Sequence, residues 1–117
     1  MTGPGRRQAR LADQIRIEVA EMLAGELSDP RIGFATITRV DLTADLHHAR
    51  ILVSVMGGEE DGARTLEGLS SASGYIRREL ARRLGLRRVP ELVFVLDHGA
   101  EESLKIESLI QKLKNDE

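Results

Sequence analysis

The spacing of apolar residues along the chain predicts a helix followed by two strands. Apolar side chains recur every three or four residues from Leu11 to Leu27, which is the period of a helix that buries one face. Pro30 ends this pattern, because proline lacks the amide proton that a helix requires. Residues 34–42 and 49–55 then have the branched and alternating composition of strands. A turn at 43–45 would join them as an antiparallel hairpin.

Two helical stripes are predicted after an exposed acidic, glycine-rich loop at residues 57–61. The first stripe runs from Gly62 to Ser73 and the second from Ile76 to Leu84. The small residues Ala72-Ser73-Gly74 lie where the two stripes meet. A kinked or two-part helix is therefore expected, and Gly85 is expected to cap its C-terminal end.

The last part of the sequence predicts one more strand and one more helix. The continuous apolar run 92–96 indicates a third strand that is buried on both faces and lies at the centre of the sheet. Helical spacing of apolar residues over 106–113 predicts a last helix, and the polar residues 114–117 indicate a frayed C-terminus. Residues 1–5 have the composition of a flexible leader, so a single α+β domain is expected to occupy 6–113.

The composition excludes several classes of protein. The sequence has no cysteine, and therefore neither a disulfide framework nor a cysteine-based catalytic or metal site. Its three aromatic residues are too few for us to expect a platform on which bases stack. No apolar run approaches the ~20 residues that a membrane-spanning helix needs, and the first residues contain no apolar stretch typical of a secretory signal. We expect a cytoplasmic protein with no membrane partner.

The charges are unevenly distributed along the chain. Residues 72–90 contain six arginines and one acidic residue, although the net charge of the whole chain is -2. Clustered guanidinium groups repel one another unless an anionic partner or carboxylates neutralise them, so this segment indicates nucleic-acid binding. Arg6, Arg7 and Arg10 form a second basic segment. The two segments would form one anion-binding face if the fold brought them together, which the sequence alone does not show.

Helical geometry defines the candidate binding residues. Arg78 and Arg82 lie opposite the apolar stripe and one turn apart, roughly 6 Å along the helix axis, and each guanidinium can bind a phosphate. The alternative is a solvated face whose arginines pair with Glu79 in the same helix. The small residues at 72–74 serve either to bend the backbone or, at a helix N-terminus, to bind phosphate. The predicted RNA-binding residues are Arg6, Arg7, Arg10, Ala72, Ser73, Gly74, Arg77, Arg78, Arg82, Arg83, Arg87 and Arg88.

Catalysis and metal binding are not expected from the polar residues. His47 and His48 are adjacent at the start of a strand, where alternation sends their side chains to opposite faces. The three consecutive acids at 59–61 are typical of a solvated loop. The sequence has neither a phosphate-binding loop nor a dinucleotide-binding motif. We therefore predict no catalytic residue, no metal site, no cofactor and no small-molecule substrate. A protein-binding adaptor that uses acidic or sheet-edge surfaces, without direct RNA contact, is the alternative function.

The order and spacing of several short motifs resemble the ribosome-binding factor A family of bacterial assembly factors. The motifs are Ser28-Asp29-Pro30-Arg31, Asp45-Leu46, residues 72–77 and residues 86–92. The resemblance implies a KH-like domain of type II topology, in which a three-stranded sheet packs against helices. It also implies that a kinked Ala-x-Gly junction, here Ala72-Ser73-Gly74, replaces the Gly-x-x-Gly loop with which ordinary KH domains grip RNA.

The same resemblance implies a function and its partners. Members of this family bind free or immature small (30S) ribosomal subunits and 16S rRNA, and they support maturation of the 16S 5' end, especially in the cold. We accordingly expect a monomer that acts in ribosome biogenesis without covalent chemistry.

Overall fold

The computed structural model describes residues 5–97, which contain three helices and three strands. In chain order these are α1 (Arg6–Gly25), β1 (Ala35–Leu42), β2 (His48–Val55), α2 (Glu59–Ser71), α3 (Ser73–Leu84) and β3 (Glu91–Leu96). Every element predicted within this range is therefore present. The predicted last helix, the predicted frayed end at 114–117 and most of the predicted leader lie outside the described residues. Between residues 5 and 97, no helix is long and apolar enough to cross a membrane.

The sheet has the order β1-β2-β3. β1 and β2 form the predicted antiparallel hairpin, with Leu42 opposite Ala49 and an irregularity in register between Ile37 and Arg39. β3 runs parallel to β2, from His48 opposite Glu91 onward. The predicted central position of the third strand is therefore wrong, because β2 occupies the centre.

The position of β3 at an edge explains its partial exposure. The hairpin leaves one side of β2 free, and β3 pairs with that side. Phe94 points into the core and is buried, whereas Val93 points to the opposite face of the sheet and is 51% exposed. The prediction that this strand is buried on both faces is thus also wrong. A continuous apolar run does not by itself distinguish a central strand from an edge strand that has one covered face.

The helices pack against one face of the sheet and enclose the core. α1 contributes Ile15, Val19 and Met22 at the predicted helical spacing, and all three are fully buried. α3 contributes Ile76 and Leu80, which are also fully buried. These residues pack with the inward-facing positions of the strands, which are Ile37, Val40, Leu42, Ala49, Ile51, Val53 and Phe94.

The acidic residues expected in a loop instead form the first turn of α2. Glu59, Glu60 and Asp61 all lie within the helix, and the Asp61 carboxylate accepts a hydrogen bond from the Gly58 N–H at 2.9 Å. Carboxylates are favourable there because a helix N-terminus carries a partial positive charge. The predicted exposed acidic loop is therefore shorter than expected, and α2 begins three residues before Gly62.

A single residue, Ala72, separates α2 from α3, as the two-part helix predicted. Its N–H donates to the carbonyls of Gly68 and Leu69 at 3.0 and 3.1 Å, and its carbonyl accepts from the Ile76 N–H at 2.9 Å. Ala72 thus closes one helix and opens the next. An α-helix provides no intrahelical partner for its first N–H groups. Those of α3 lie directly after Ala72.

The other end of α3 turns sharply into β3. Gly85 has the left-handed conformation (φ 62°, ψ 38°) expected of a helix cap, and the Leu86 N–H donates to the Ala81 carbonyl at 3.0 Å. The following loop meets the hairpin turn, because the Glu91 N–H donates to the His47 carbonyl at 2.8 Å. This contact brings the end of α3 and the β1–β2 turn to the same end of the sheet.

Candidate nucleic-acid interface

The N-terminal part of α1, the β1–β2 turn and the α3–β3 loop together form a cleft of about 750 Å³. Arg7 and Arg10 line it from α1, and Arg87 and Arg88 line it from the loop. We call it the basic cleft. The two basic segments of the sequence therefore converge in space, and the condition for one anion-binding face is met.

The charges of the basic cleft are largely uncompensated. Arg7, Arg10 and Arg87 are exposed and form no ion pair within residues 5–97. The one acidic residue in the lining, Asp45, is committed to its own turn: its carboxylate accepts from the Thr43 hydroxyl at 2.6 Å and from the His47 N–H at 3.0 Å. The Thr43 bond, followed by the His47 bond, lowers the pKa of Asp45. The cleft thus concentrates positive charge that a polyanion would neutralise.

Arg88 differs from the other three cleft arginines because it contacts the hairpin turn. Its Nη1 lies 2.8 Å from Nε2 of His47. A guanidinium is always a donor, so Nε2 of His47 is the acceptor in this arrangement. Nδ1 of His47 lies 3.5 Å from the Asp45 carboxylate. The contact joins two walls of the basic cleft.

The outer face of α3 carries Arg78 and Arg82, and we call these two residues the arginine face. Arg82 pairs with Glu79 at 2.7 Å, yet its side chain is 69% exposed. The intrahelical pairing considered as an alternative therefore exists, but exposed pairs of this kind contribute little energy and can be exchanged for a phosphate. Arg78 is exposed and forms no ion pair within the described part of the chain.

The Arg78 side chain lies against the start of α3. A Cβ placed on Gly74 would lie 3.4 Å from Nη1 of Arg78, which is a van der Waals contact. Arg78 therefore lies beside the Ala72-Ser73-Gly74 junction, so the structure brings these two parts of the predicted site together. Gly74 is exposed, whereas Ala72 and Ser73 are half-buried.

Arg83 has a structural environment unlike that of the other predicted residues. Its guanidinium faces three carboxylates, those of Glu18 at 3.5 Å, Glu79 at 3.2 Å and Glu26, and its side chain is only 18% exposed. The Tyr75 hydroxyl also donates to Glu26 at 2.9 Å. The hydrogen bond to Glu26 raises the pKa of Arg83. Because Glu18 lies in α1 and Glu26 caps the C-terminal end of α1, these contacts join α1 to α3, and we call the group the Arg83 cluster.

The remaining predicted residues lie around the basic cleft. Arg77 is exposed on α3, and its Nη2 donates to the Val89 carbonyl at 3.1 Å, which fixes the α3–β3 loop. Arg6 is exposed in the first turn of α1 but does not line the basic cleft. Charge patterning did not single out Leu11, Leu46, Leu86, Gln14 and His47 as site residues, although they line the cleft as well.

Comparison with known proteins places this sequence and this fold in a family. The sequence of residues 7–110 matches the family model described as ribosome-binding factor A. The chain belongs to the ribosome-binding factor A family. The family's member from Caldanaerobacter subterraneus is 41% identical over 112 residues, which cover 95% of this chain and 92% of that relative. The family consists of ribosome-binding factors and not of enzymes, which confirms the prediction that the chain is not an enzyme.

Two structures of the family resemble this chain in fold. The crystal structure of ribosome-binding factor A from Thermus thermophilus is 31% identical, has a TM-score of 0.69, and the match covers 80% of this chain and 98% of that chain. A homology model of the Thermus thermophilus factor, fitted into a cryo-electron microscopy map of a 30S complex, is 35% identical, with a TM-score of 0.63 and coverage of 75% and 92%. The α+β domain is KH-like, as the resemblance implied.

Proposed function

We propose that this protein binds the small ribosomal subunit during its assembly and contacts 16S rRNA through the basic cleft and the arginine face. The convergence of Arg7 and Arg10 with Arg87 and Arg88 carries the proposal, because it gathers positive charge from distant parts of a chain whose net charge is negative. A second support is the relative from Thermus thermophilus that was fitted into a map of a 30S complex.

The contacts to RNA are proposed to be mostly with phosphates. The guanidinium groups of the basic cleft and of the arginine face are exposed, and arginine binds phosphate through two parallel N–H groups. α3 contains 12 residues and therefore spans roughly 18 Å. The Ala72-Ser73-Gly74 junction and the basic cleft at its two ends are thus far enough apart to engage phosphates of different nucleotides.

No Gly-x-x-Gly loop is present in the sequence, so the four-nucleotide grip of ordinary KH domains is not proposed. Instead, Arg78 and the first N–H groups of α3 form one anchor, and the basic cleft forms the other. Such contacts recognise the shape of a folded RNA and fix its position, since phosphate contacts carry no direct sequence information. Arg6, Arg77 and Arg82 extend the surface, and the Arg83 cluster keeps α1 and α3 in register.

In this proposal the protein acts as an assembly factor in the cytoplasm, as a monomer and without covalent chemistry. It holds an rRNA element in a conformation that is lost after maturation, and in this way supports processing of the 16S 5' end. The need for such a factor is greatest in the cold, because misfolded RNA helices open more slowly at low temperature. The family resemblance is the basis for these finer roles.

The test is co-sedimentation of the purified protein with free 30S subunits, with complete ribosomes and with a structured RNA of similar length. The proposal predicts binding to free 30S subunits in preference to the other two, and loss of that binding in the double variant Arg78→Glu, Arg82→Glu. The matched control, Arg39→Glu, Arg64→Glu, changes the net charge equally on exposed positions outside both surfaces. Equal binding to free 30S subunits, complete ribosomes and the structured RNA would contradict the proposal. If 30S binding survives every arginine reversal, the adaptor alternative is favoured.

A further inference from the structure

The basic cleft has an apolar wall that a surface for phosphates alone does not require. Leu11, Leu46 and Leu86 line it together with the four arginines, and each of these leucines is half-buried. They come from α1, from the β1–β2 turn and from the α3–β3 loop, which are the three segments that form the cleft. A volume of about 750 Å³ falls in the range of sites that enclose small ligands.

Leu46 is held in a backbone conformation that leucine rarely adopts. Its φ is 63°, the only positive φ of a non-glycine residue within 5–97. The turn fixes this conformation, because the Leu46 N–H donates to the Thr43 carbonyl at 2.9 Å and the Asp45 carboxylate accepts from the Thr43 hydroxyl at 2.6 Å. Residues kept in such conformations are concentrated at ligand-binding sites. Here the conformation places a leucine in the wall of a charged cleft.

Polar groups complete the lining. Gln14 of α1 is exposed and its side chain forms no hydrogen bond within the described residues, and its amide carries both donors and an acceptor. His47 also lines the cleft and contacts Arg88. The cleft therefore combines positive charge, an apolar wall and an amide. These three features correspond to the phosphate, the base face and the base edge of a nucleotide.

We propose that the basic cleft binds one unstacked nucleotide of the bound RNA, a proposal that rests on the function proposed above. The flanking phosphates are bound by Arg7, Arg10 and Arg87. The base lies against Leu46 and Leu86, and a guanidinium plane can cover its other face, as arginine does for unstacked bases. The contact is tolerant of sequence because every base has an apolar face. A fully paired helix offers only its backbone to this cleft.

The test compares three RNA hairpins that differ at one position. The first carries a single bulged 2-aminopurine, the second an abasic bulge with the same phosphates, and the third has no bulge. Burial of one face of a base against leucine side chains should contribute about fivefold in affinity through the apolar surface it removes from water. We therefore expect the first hairpin to bind about fivefold more tightly than the second. The fluorescence of 2-aminopurine should also change on binding, since it reports the environment of the base.

Two variants separate the contribution of the base from that of its phosphates. Leu86→Ala keeps every charge, and Leu86 lies outside the core contacts in which Leu11 and Leu46 take part. We expect Leu86→Ala to weaken the 2-aminopurine hairpin by about threefold and to leave the abasic hairpin unchanged. Arg87→Gln should weaken both hairpins equally, and its effect should decrease at higher salt.

The outcomes distinguish this inference from the function on which it rests. If the first two hairpins bind equally and Leu86→Ala has no effect, while Arg87→Gln weakens both, the nucleotide proposal is overturned and the phosphate contact stands. If Arg87→Gln changes neither hairpin, the cleft does not contact RNA and the proposed function itself loses its surface. The comparison of hairpins uses the wild-type protein, so it decides the question even if Leu86→Ala folds poorly.

Discussion

Arg88 and His47 lie 41 positions apart in the sequence, and Nη1 of the first is 2.8 Å from Nε2 of the second. The contact bridges the α3–β3 loop and the β1–β2 turn. The guanidinium is the donor in this contact and Nε2 of His47 is the acceptor. The contact joins two of the three segments that form the basic cleft.

The Arg83 cluster is predicted to stabilise the domain rather than to bind RNA. Replacing Arg83 with Met leaves Glu18 without an ion-pair partner and Glu26 with only the Tyr75 hydroxyl, whereas Glu79 keeps Arg82. The three carboxylates then face one another without the central guanidinium. We expect a lower melting temperature in thermal unfolding. Arg82→Met is the matched control: Arg82 has one acidic partner and is 69% exposed, so its melting temperature should stay close to that of the wild type. A larger drop in melting temperature for Arg82→Met than for Arg83→Met would show that the Arg83 cluster does not stabilise the packing of α1 against α3.

The Asp29–Arg31 pair predicts a loss of stability in acid. The hydrogen bond from the Arg31 side chain, followed by that from its backbone N–H, lowers the pKa of Asp29 to about 2. Because the pKa of Asp29 is lower in the folded state, its ionised carboxylate stabilises the fold fully above the ordinary Asp pKa of about 4. This stabilisation is lost as the pH falls towards about 2. Urea unfolding at pH 6 and pH 3 should show a smaller pH-dependent loss in Asp29→Asn than in the wild type. Identical losses would contradict the assignment.

Side chains on the covered and on the exposed side of the sheet should respond differently to truncation. Leu80 is fully buried against the sheet, and Leu80→Ala should reduce the free energy of unfolding by about 2–5 kcal/mol. Val93 is 51% exposed on the edge strand, and Val93→Ala should cost no more than about 0.5 kcal/mol. Denaturant titration measures both. A large cost at Val93 would indicate that this face of β3 is covered in solution.

Two glycines of the α2–α3 region predict different effects of an added methyl group. A Cβ on Gly68 would lie 2.6 Å from Cγ1 of Ile32, so Gly68→Ala should be destabilising. A Cβ on Gly74 would meet only the end of the Arg78 side chain, at 3.4 Å. Gly74→Ala should therefore fold at least as well as the wild type, with a gain of up to about 1 kcal/mol from helix propensity. It should also weaken 30S binding, because a methyl group beside the Arg78 guanidinium leaves less room for a phosphate there. Unchanged binding would remove this junction from the interface.

The elements of the fold were largely predictable because they depend on local periodicity. The buried positions Ile15, Val19 and Met22 of α1 repeat with the helical period, and Gly85 was recognisable as a cap. The position of β3 was not predictable, because sheet order depends on which side of β2 the hairpin leaves free. The first turn of α2 was missed because acidic residues next to glycines also have the composition of a loop.

The arginines of the candidate site could be proposed from the sequence, but its apolar lining and its geometry could not. Charge clustering identified Arg7, Arg10, Arg87 and Arg88, and their convergence became visible only in the fold. The environment of Arg83 was hidden because two of its partners, Glu18 in α1 and Glu26 at the end of α1, lie 57 or more positions away in the sequence. The leucines of the cleft gave no signal, since apolar residues in turns and at helix ends have no distinctive pattern.

The most direct test of the proposed interface is the affinity for free 30S subunits as a function of salt. Neutralising two arginines of the basic cleft in Arg87→Gln, Arg88→Gln should weaken binding at low salt by at least about tenfold and reduce the dependence of log affinity on log salt by about two. The matched variant, Arg39→Gln, Arg64→Gln, should retain both the affinity and the salt dependence of the wild type. Equal effects of the two variants, or no effect of the first, would contradict the assignment of the basic cleft as the surface that contacts rRNA.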